Sequence, residues 1–239
     1  MRSLRHIFAS LCLSMALLPA ASAYAATAAE LQSLQDGGYR ITSQLFMYTI
    51  LERAGERRKD VARLISVIEP RVAALKDKDV QSAWQALRTS ATADPYVNNE
   101  VAQQALYAVE DNATRFAQAL ERLMPQDADP KKQAVNDLIS RMHVMMTIYL
   151  RNSADPIGGA NYAGINRELD LEKLPGEFSA KLTALEKNQP AMAPVIAKIR
   201  PKWAFLSPRL SDYNQKSVPF LVDIYGRQII DQLIASAPN

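Results

Sequence analysis

QQALYAVEDNATRFAQALERL, residues 103–123, decides the fold class. Its apolar positions Leu106, Val109, Ala113, Phe116, Leu120 and Leu123 are separated alternately by three and four residues. That spacing collects them on one stripe of an α-helix, and a stripe of this kind requires a partner surface to cover it. The same periodicity runs outward in both directions. Leu31, Leu34, Ile41, Leu45 and Tyr48 mark a first helix, and Val61, Leu64, Ile68, Val72 and Leu75 a second, with Pro70 expected to kink or break it. Beyond Pro125 and Pro130, further helices are predicted over Lys131 to Arg151, Phe178 to Leu185, Val195 to Leu206 and Val218 to Ile234. Gly is scarce and no β-branched alternation appears. The expected fold is therefore all-α.

The halves of the chain repeat one another in order. Arg40-Ile41 corresponds to Arg141-Met142, Tyr48 to Tyr149, and Trp84-Gln85-Ala86-Leu87 to Trp203-Ala204-Phe205-Leu206. The second half differs by an inserted loop, Ser153 to Leu171, carrying Gly158-Gly159 and Gly164. Two tandem antiparallel four-helix units are expected, over residues 27–126 and 127–239, with Trp84 and Trp203 filling equivalent core positions.

Residues 1–26, MRSLRHIFASLCLSMALLPAASAYAA, have the layout of a secretory signal peptide. Arg2 and Arg5 open it, Ile7 to Leu18 is an apolar run too short to span a bilayer, and Ala21-Ser22-Ala23 or Ala23-Tyr24-Ala25 offers a cleavage site. A periplasmic location is expected. Of the 28 basic and 25 acidic residues, the leader holds two of the former and none of the latter. The remainder is close to neutral, which argues against a nucleic-acid partner. The one cysteine, Cys12, also lies in the leader, so the exported part has no thiol for a disulfide or a cysteine metal site.

Candidate chemistry is sparse. No nucleophile elbow, phosphate loop or zinc spacing appears, and neither an enzyme nor any cofactor or metal is expected. His143, the only histidine outside the leader, sits among Met142, Met145 and Met146, which read as adaptable core packing. Asn112-Ala113-Thr114 matches a glycosylation sequon but falls inside the helical stripe. Arg53, Arg57, Arg58 and Lys59 cluster between two helices, either as a solvated turn or as a weak contact for an anionic surface. The most chemically suggestive positions are Arg40, Ser43 and Gln44, whose spacing brings a guanidinium, a hydroxyl and an amide to one helix face. Such a face suits a small oxyanion or metabolite, because arginine supplies paired planar donors at any physiological pH.

The run Gly37-Gly38-Tyr39-Arg40-Ile41-Thr42-Ser43-Gln44 resembles the G-x-x-R-M-x-S-Q signature of the PilJ-type domain, the N-terminal sensor region of type IV pili methyl-accepting chemotaxis transducers. It is similar, too, to the start of NarX-type nitrate-sensing domains. The resemblance implies a stand-alone exported form with two repeats, each with a Trp in its third helix, and an arginine that meets an anion. The second repeat keeps Arg141-Met142 but has His143, Val144 and Met145 where Thr42, Ser43 and Gln44 stand in the first. Two functions are expected on these grounds: a binding or sensory-accessory module that recognises a small anion or a membrane receptor, or a structural or chaperone-like envelope scaffold.

Overall fold

A computed structural model describes residues 26–125, 129–211 and 217–236. The expected leader, Ala26 apart, and the expected boundary at 126/127 lie outside the described residues. The described chain is all-α: α1 (Ala28–Ile50), α2 (Gly55–Leu75), α3 (Lys78–Thr92), α4 (Gln103–Glu121), α5 (Pro130–Ala154), α6 (Leu174–Asn188), α7 (Ala193–Ser211) and α8 (Pro219–Ser236). A single 3₁₀ turn, Pro190–Met192, leads into α7.

Local chemistry sets the boundaries. Thr27 and Glu30 form a capping box that starts α1, the Asp77 carboxylate accepts from the Val80 N–H at 2.8 Å to start α3, and Asp129 caps α5 ahead of Pro130. Between α3 and α4 lies an element that the periodicity did not anticipate, a two-residue hairpin of β1 (Tyr96–Val97) and β2 (Glu100–Val101). Asn98 and Asn99 turn it, both in the left-handed region at φ 52° and 68°, as a type I′ turn requires.

Each half of the chain closes a ring of contacts, α1–α2–α3–α4 and α5–α6–α7–α8, and α1 lies along α5 to join them. Two buried apolar clusters result. One is built from α1 to α4 around Leu34, Ile41, Val72, Trp84, Leu87, Phe116 and Leu120. The other is built from α5 to α8 but also takes Phe46 and Met47 from α1 and Leu106 and Tyr107 from α4. The 103–123 stripe is buried as the spacing predicts, except Leu123, which falls beyond the end of α4 and is exposed. Trp84 and Trp203 both lie in these cores, Trp84 against Phe116 and Trp203 against Phe178. The neighbours are not equivalent, since Phe116 is on the fourth helix of its ring and Phe178 on the second.

Three prolines lie inside helices. Pro70 does not end α2, and Pro201 and Pro208 do not end α7. All three, and the residues four before them (Ser66, Ala197 and Ala204), are exposed, so the carbonyls that lose a partner face water. Gly37 and Gly38 permit close helix approach: a Cβ at Gly37 would sit 2.6 Å from Ile68 on α2, and one at Gly38 2.9 Å from Phe116 on α4.

Candidate functional site

Helix α1 packs against α2, α4 and α5 and so has little solvent face. Its polar residues Gln32, Gln35, Thr42, Ser43, Gln44 and Thr49 are all buried. At its centre Asp36 is the hub of a polar node. Arg40 Nε approaches Asp36 Oδ2 to 2.7 Å one turn away, and His143 Nε2, from α5, lies 3.3 Å from Asp36 Oδ1. Neither approach is aligned as a hydrogen bond. The guanidinium is anchored instead by Nη2, which donates to Asp231 Oδ1 on α8 at 2.6 Å. The His143 ring stacks on Tyr39, 4.6 Å between centroids and 13° from parallel. Burial penalises the Asp36 carboxylate, yet His143 and Arg40 beside it hold it below its ordinary range. Burial, with Glu110 and Glu121 adding to it, pushes the Tyr39 hydroxyl up.

The residues expected to share an anion site have separate partners. Arg40 reaches α8; Gln44 Oε1 accepts from Arg57 Nη1 on α2 at 2.9 Å; Ser43 is buried in the seam. Arg141 belongs to another cluster, its Nε bonded to Asp137 at 3.2 Å and its Nη1 donating to Glu177 Oε2 on α6 at 2.6 Å. Each arginine therefore carries two carboxylates. Around Arg40, an arriving oxyanion meets Asp36 and Asp231, two carboxylates that already hold the guanidinium and repel a second anion. The two arginines do share a geometry, because each follows an aspartate by four residues: Asp36 to Arg40 and Asp137 to Arg141. This pairing is a further correspondence between the two halves of the chain, and the sequence contained the signal in its acid-to-base i, i+4 spacing.

A second polar cluster escaped sequence reasoning because its members are scattered. Glu110 on α4 is completely buried and takes both of its oxygens to Arg151 Nη1 of α5, at 3.2 and 3.1 Å. Asn166, from the inserted loop, donates to the same carboxylate at 2.9 Å and to Thr114 Oγ1 at 3.3 Å. Tyr162 of that loop lies under the Arg151 guanidinium at 3.8 Å and donates to Asp111 at 2.7 Å. At the end of α5, Asp155 accepts from Tyr107 Oη at 2.5 Å, Gln103 Nε2 at 2.8 Å and the Ile157 and Gly159 N–H groups at 3.0 Å. Burial opposes the Asp155 charge, and these donors outweigh it, so its carboxyl lies below the ordinary range. Burial likewise pushes Glu110 up, against the pull of Arg151. The cluster ties the inserted loop to α4 and α5.

The remaining candidates take structural partners. Arg58 caps α3 by donating to the carbonyls of Ala91, Thr92 and Ala93, and Arg53 stacks over the Tyr96 ring at 4.1 Å. Asn112 bridges α4 to α3 through the Ala86 carbonyl and Ser90 Oγ. Met142, Met145 and Met146 are core residues. Among the described residues, no three His, Cys, Asp or Glu side chains are grouped to hold a metal, and no helix is long and apolar enough to cross a membrane. Comparison with known protein families, curated proteins and solved structures found no match to this chain.

Proposed function

We propose that this protein is an exported, non-enzymatic helical-bundle module that acts by binding, with Arg40 and Arg141 holding helices together rather than capturing an oxyanion. One observation carries the reading: the Arg40 guanidinium is already committed to Asp36 and Asp231. Export rests on the leader-like residues 1–26, and a binding role, through a membrane receptor or another envelope protein, on the likeness of residues 37–44 to PilJ-type sensor domains. The envelope-scaffold reading draws on the same ion pairs, which spend the chain's arginines on cohesion.

The two uses of Arg40 separate in thermal melts. Arg40→Ala leaves Asp36, which is largely buried, facing only His143, and is expected to destabilise the unliganded protein by about 1–3 kcal/mol. Nitrate, phosphate and sulfate are expected to leave the wild-type melt unshifted beyond a general salt effect. Nitrate raising the wild-type melting temperature, with Arg40→Ala folded but unresponsive, would restore the anion-sensor reading.

A further inference from the structure

Ile157, Ile165 and Leu169 invert the usual order of burial. All three lie on the inserted loop between α5 and α6, residues 155–173, and they are 46%, 38% and 39% exposed. Exposed apolar residues scattered singly are ordinary, but the polar side chains of this same loop point inward. Asn166 is buried against Glu110 and Thr114, and Tyr162 reaches in to Asp111. Leu171 and the Tyr162 ring pack on the core, and the other large apolar side chains of the loop face out.

The loop is folded rather than slack. The N–H groups of Ala160, Tyr162, Arg167, Leu169 and Lys173 each donate to the carbonyl three residues before, at 3.0 to 3.3 Å. The Ile165 N–H donates to Asp111 Oδ1 at 2.9 Å, so the backbone is fixed at the residue whose side chain is presented. Apolar groups held in place before contact lose little conformational freedom when they are covered. The polar anchors therefore pre-form a surface suited to binding.

Shape and charge select the partner. Beside Ile157 a recess of about 590 Å³ opens between Pro156 and the β1–β2 hairpin, with Glu100, Val101 and Gln104 in its walls. A projecting apolar loop and a hollow thus lie side by side, as a twofold contact requires, because each copy has to offer both a projection and its seat. The rim alternates in sign: Arg167 lies 2.9 Å from Glu168, and Lys173 lies 3.3 Å from Asp170. A partner of one charge, such as an anionic lipid surface or a basic segment, meets repulsion there as well as attraction, whereas a second copy brings the same alternation. We propose that the loop is a self-association surface, with its outward apolar side chains covered by a second copy of this chain. The proposal goes beyond the binding role above and does not depend on it.

Sedimentation velocity of the purified protein over a concentration series tests the proposal. A contact of loop size is expected to give a dimer with a dissociation constant in the micromolar range. Ile165→Asp combined with Leu169→Asp is expected to weaken it by about tenfold or more. Both positions are exposed, so circular dichroism is expected to show that variant folded as the wild type. Arg167→Glu combined with Lys173→Glu leaves the apolar patch intact and makes the rim acidic throughout. That variant is expected to be monomeric at low salt and to regain association as salt screens the repulsion. A wild type that is monomeric up to about 1 mM, a dimer indifferent to the paired aspartates, or an acidic-rim variant that dimerises as well as the wild type at low salt would overturn the assignment. None of these results touches the Arg40 reading, which oxyanion melts decide.

Discussion

Replacing Arg151 with methionine tests the physics of Glu110, the most deeply buried charge among the described residues. The substitution keeps an unbranched side chain but strips Glu110, at 0% exposure, of the one cation that pairs with it among the described residues and leaves Asn166 as its donor. Two responses are open to the carboxylate. It stays ionised and unpaired, at about 3–5 kcal/mol, or it takes up a proton. Protonation of a carboxyl with an ordinary pKa near 4.3 costs about 3.7 kcal/mol at pH 7. The cheaper route prevails, so Arg151→Met is expected to lose about 3–4 kcal/mol at pH 7, or on the order of 6–16 °C in melting temperature for a chain of this size. The protonation route also fixes a pH dependence. A carboxyl raised in the folded state gains relative stability as pH falls, so the deficit is expected to shrink by about 1.4 kcal/mol per pH unit between pH 7 and 5. Urea unfolding followed at 222 nm at both pH values measures this directly. Pairing the change with Glu110→Leu removes the stranded charge and is expected to recover most of the loss. A deficit below about 1 kcal/mol, or one equal at pH 5 and 7, would refute the reasoning.

Three further outcomes follow from the packing. Gly38→Ala forces a methyl group against Phe116 and is expected to destabilise by about 1–3 kcal/mol in chemical denaturation, despite alanine's better helix propensity. Gly55→Ala meets nothing within 4 Å at the start of α2 and is expected to stabilise by about 0.4–1 kcal/mol in the same assay, which makes it the matched control. The depressed Asp155 carboxyl contributes stability that is complete above the unfolded-state value near 3.9 and is lost as pH falls through its lower folded value. Acid titrations of stability should therefore be steeper for the wild type than for Asp155→Asn, and coincident slopes would remove Asp155 from the account.

The stripe in residues 103–123 was legible because α4 has one face to bury and one to wet, the condition under which periodicity reports burial. Helix α1 violates that condition. Enclosed by α2, α4 and α5, it buries Ser43 and Gln44 as thoroughly as Leu45, and a reading that assigns polar residues to solvent turns its interior seam into a ligand face. Pro70 fails to end α2 for the complementary reason, since a proline whose freed carbonyl faces water costs the helix too little to end it. The hairpin at 96–101 is too short for any period to register, and its Asn98-Asn99 turn was the only signal it offered.

The site residues divide along the same line. Arg40 and Arg141 were found by their repeat, but their roles depend on partners that sequence proximity half reveals: Asp36 and Asp137 four residues earlier, then Asp231 and Glu177 from helices that only the fold brings near. In both halves of the chain an intrahelical pair presents an arginine that a carboxylate from another helix then completes, α8 for Arg40 and α6 for Arg141. The first step is local and readable; the second is a property of packing. Because the completing helix differs between the halves, the shared Asp-x-x-x-Arg spacing carries a common device for docking helices rather than a common ligand. Loss of Asp231 should then loosen α8, and loss of Glu177 should loosen α6, each seen as faster amide exchange confined to that helix. Both carboxylates are more than half exposed, so neither change is expected to alter global stability by more than about 1 kcal/mol. Faster exchange spread evenly over the bundle after either substitution would mean that the two arginines do not act as separate docking points.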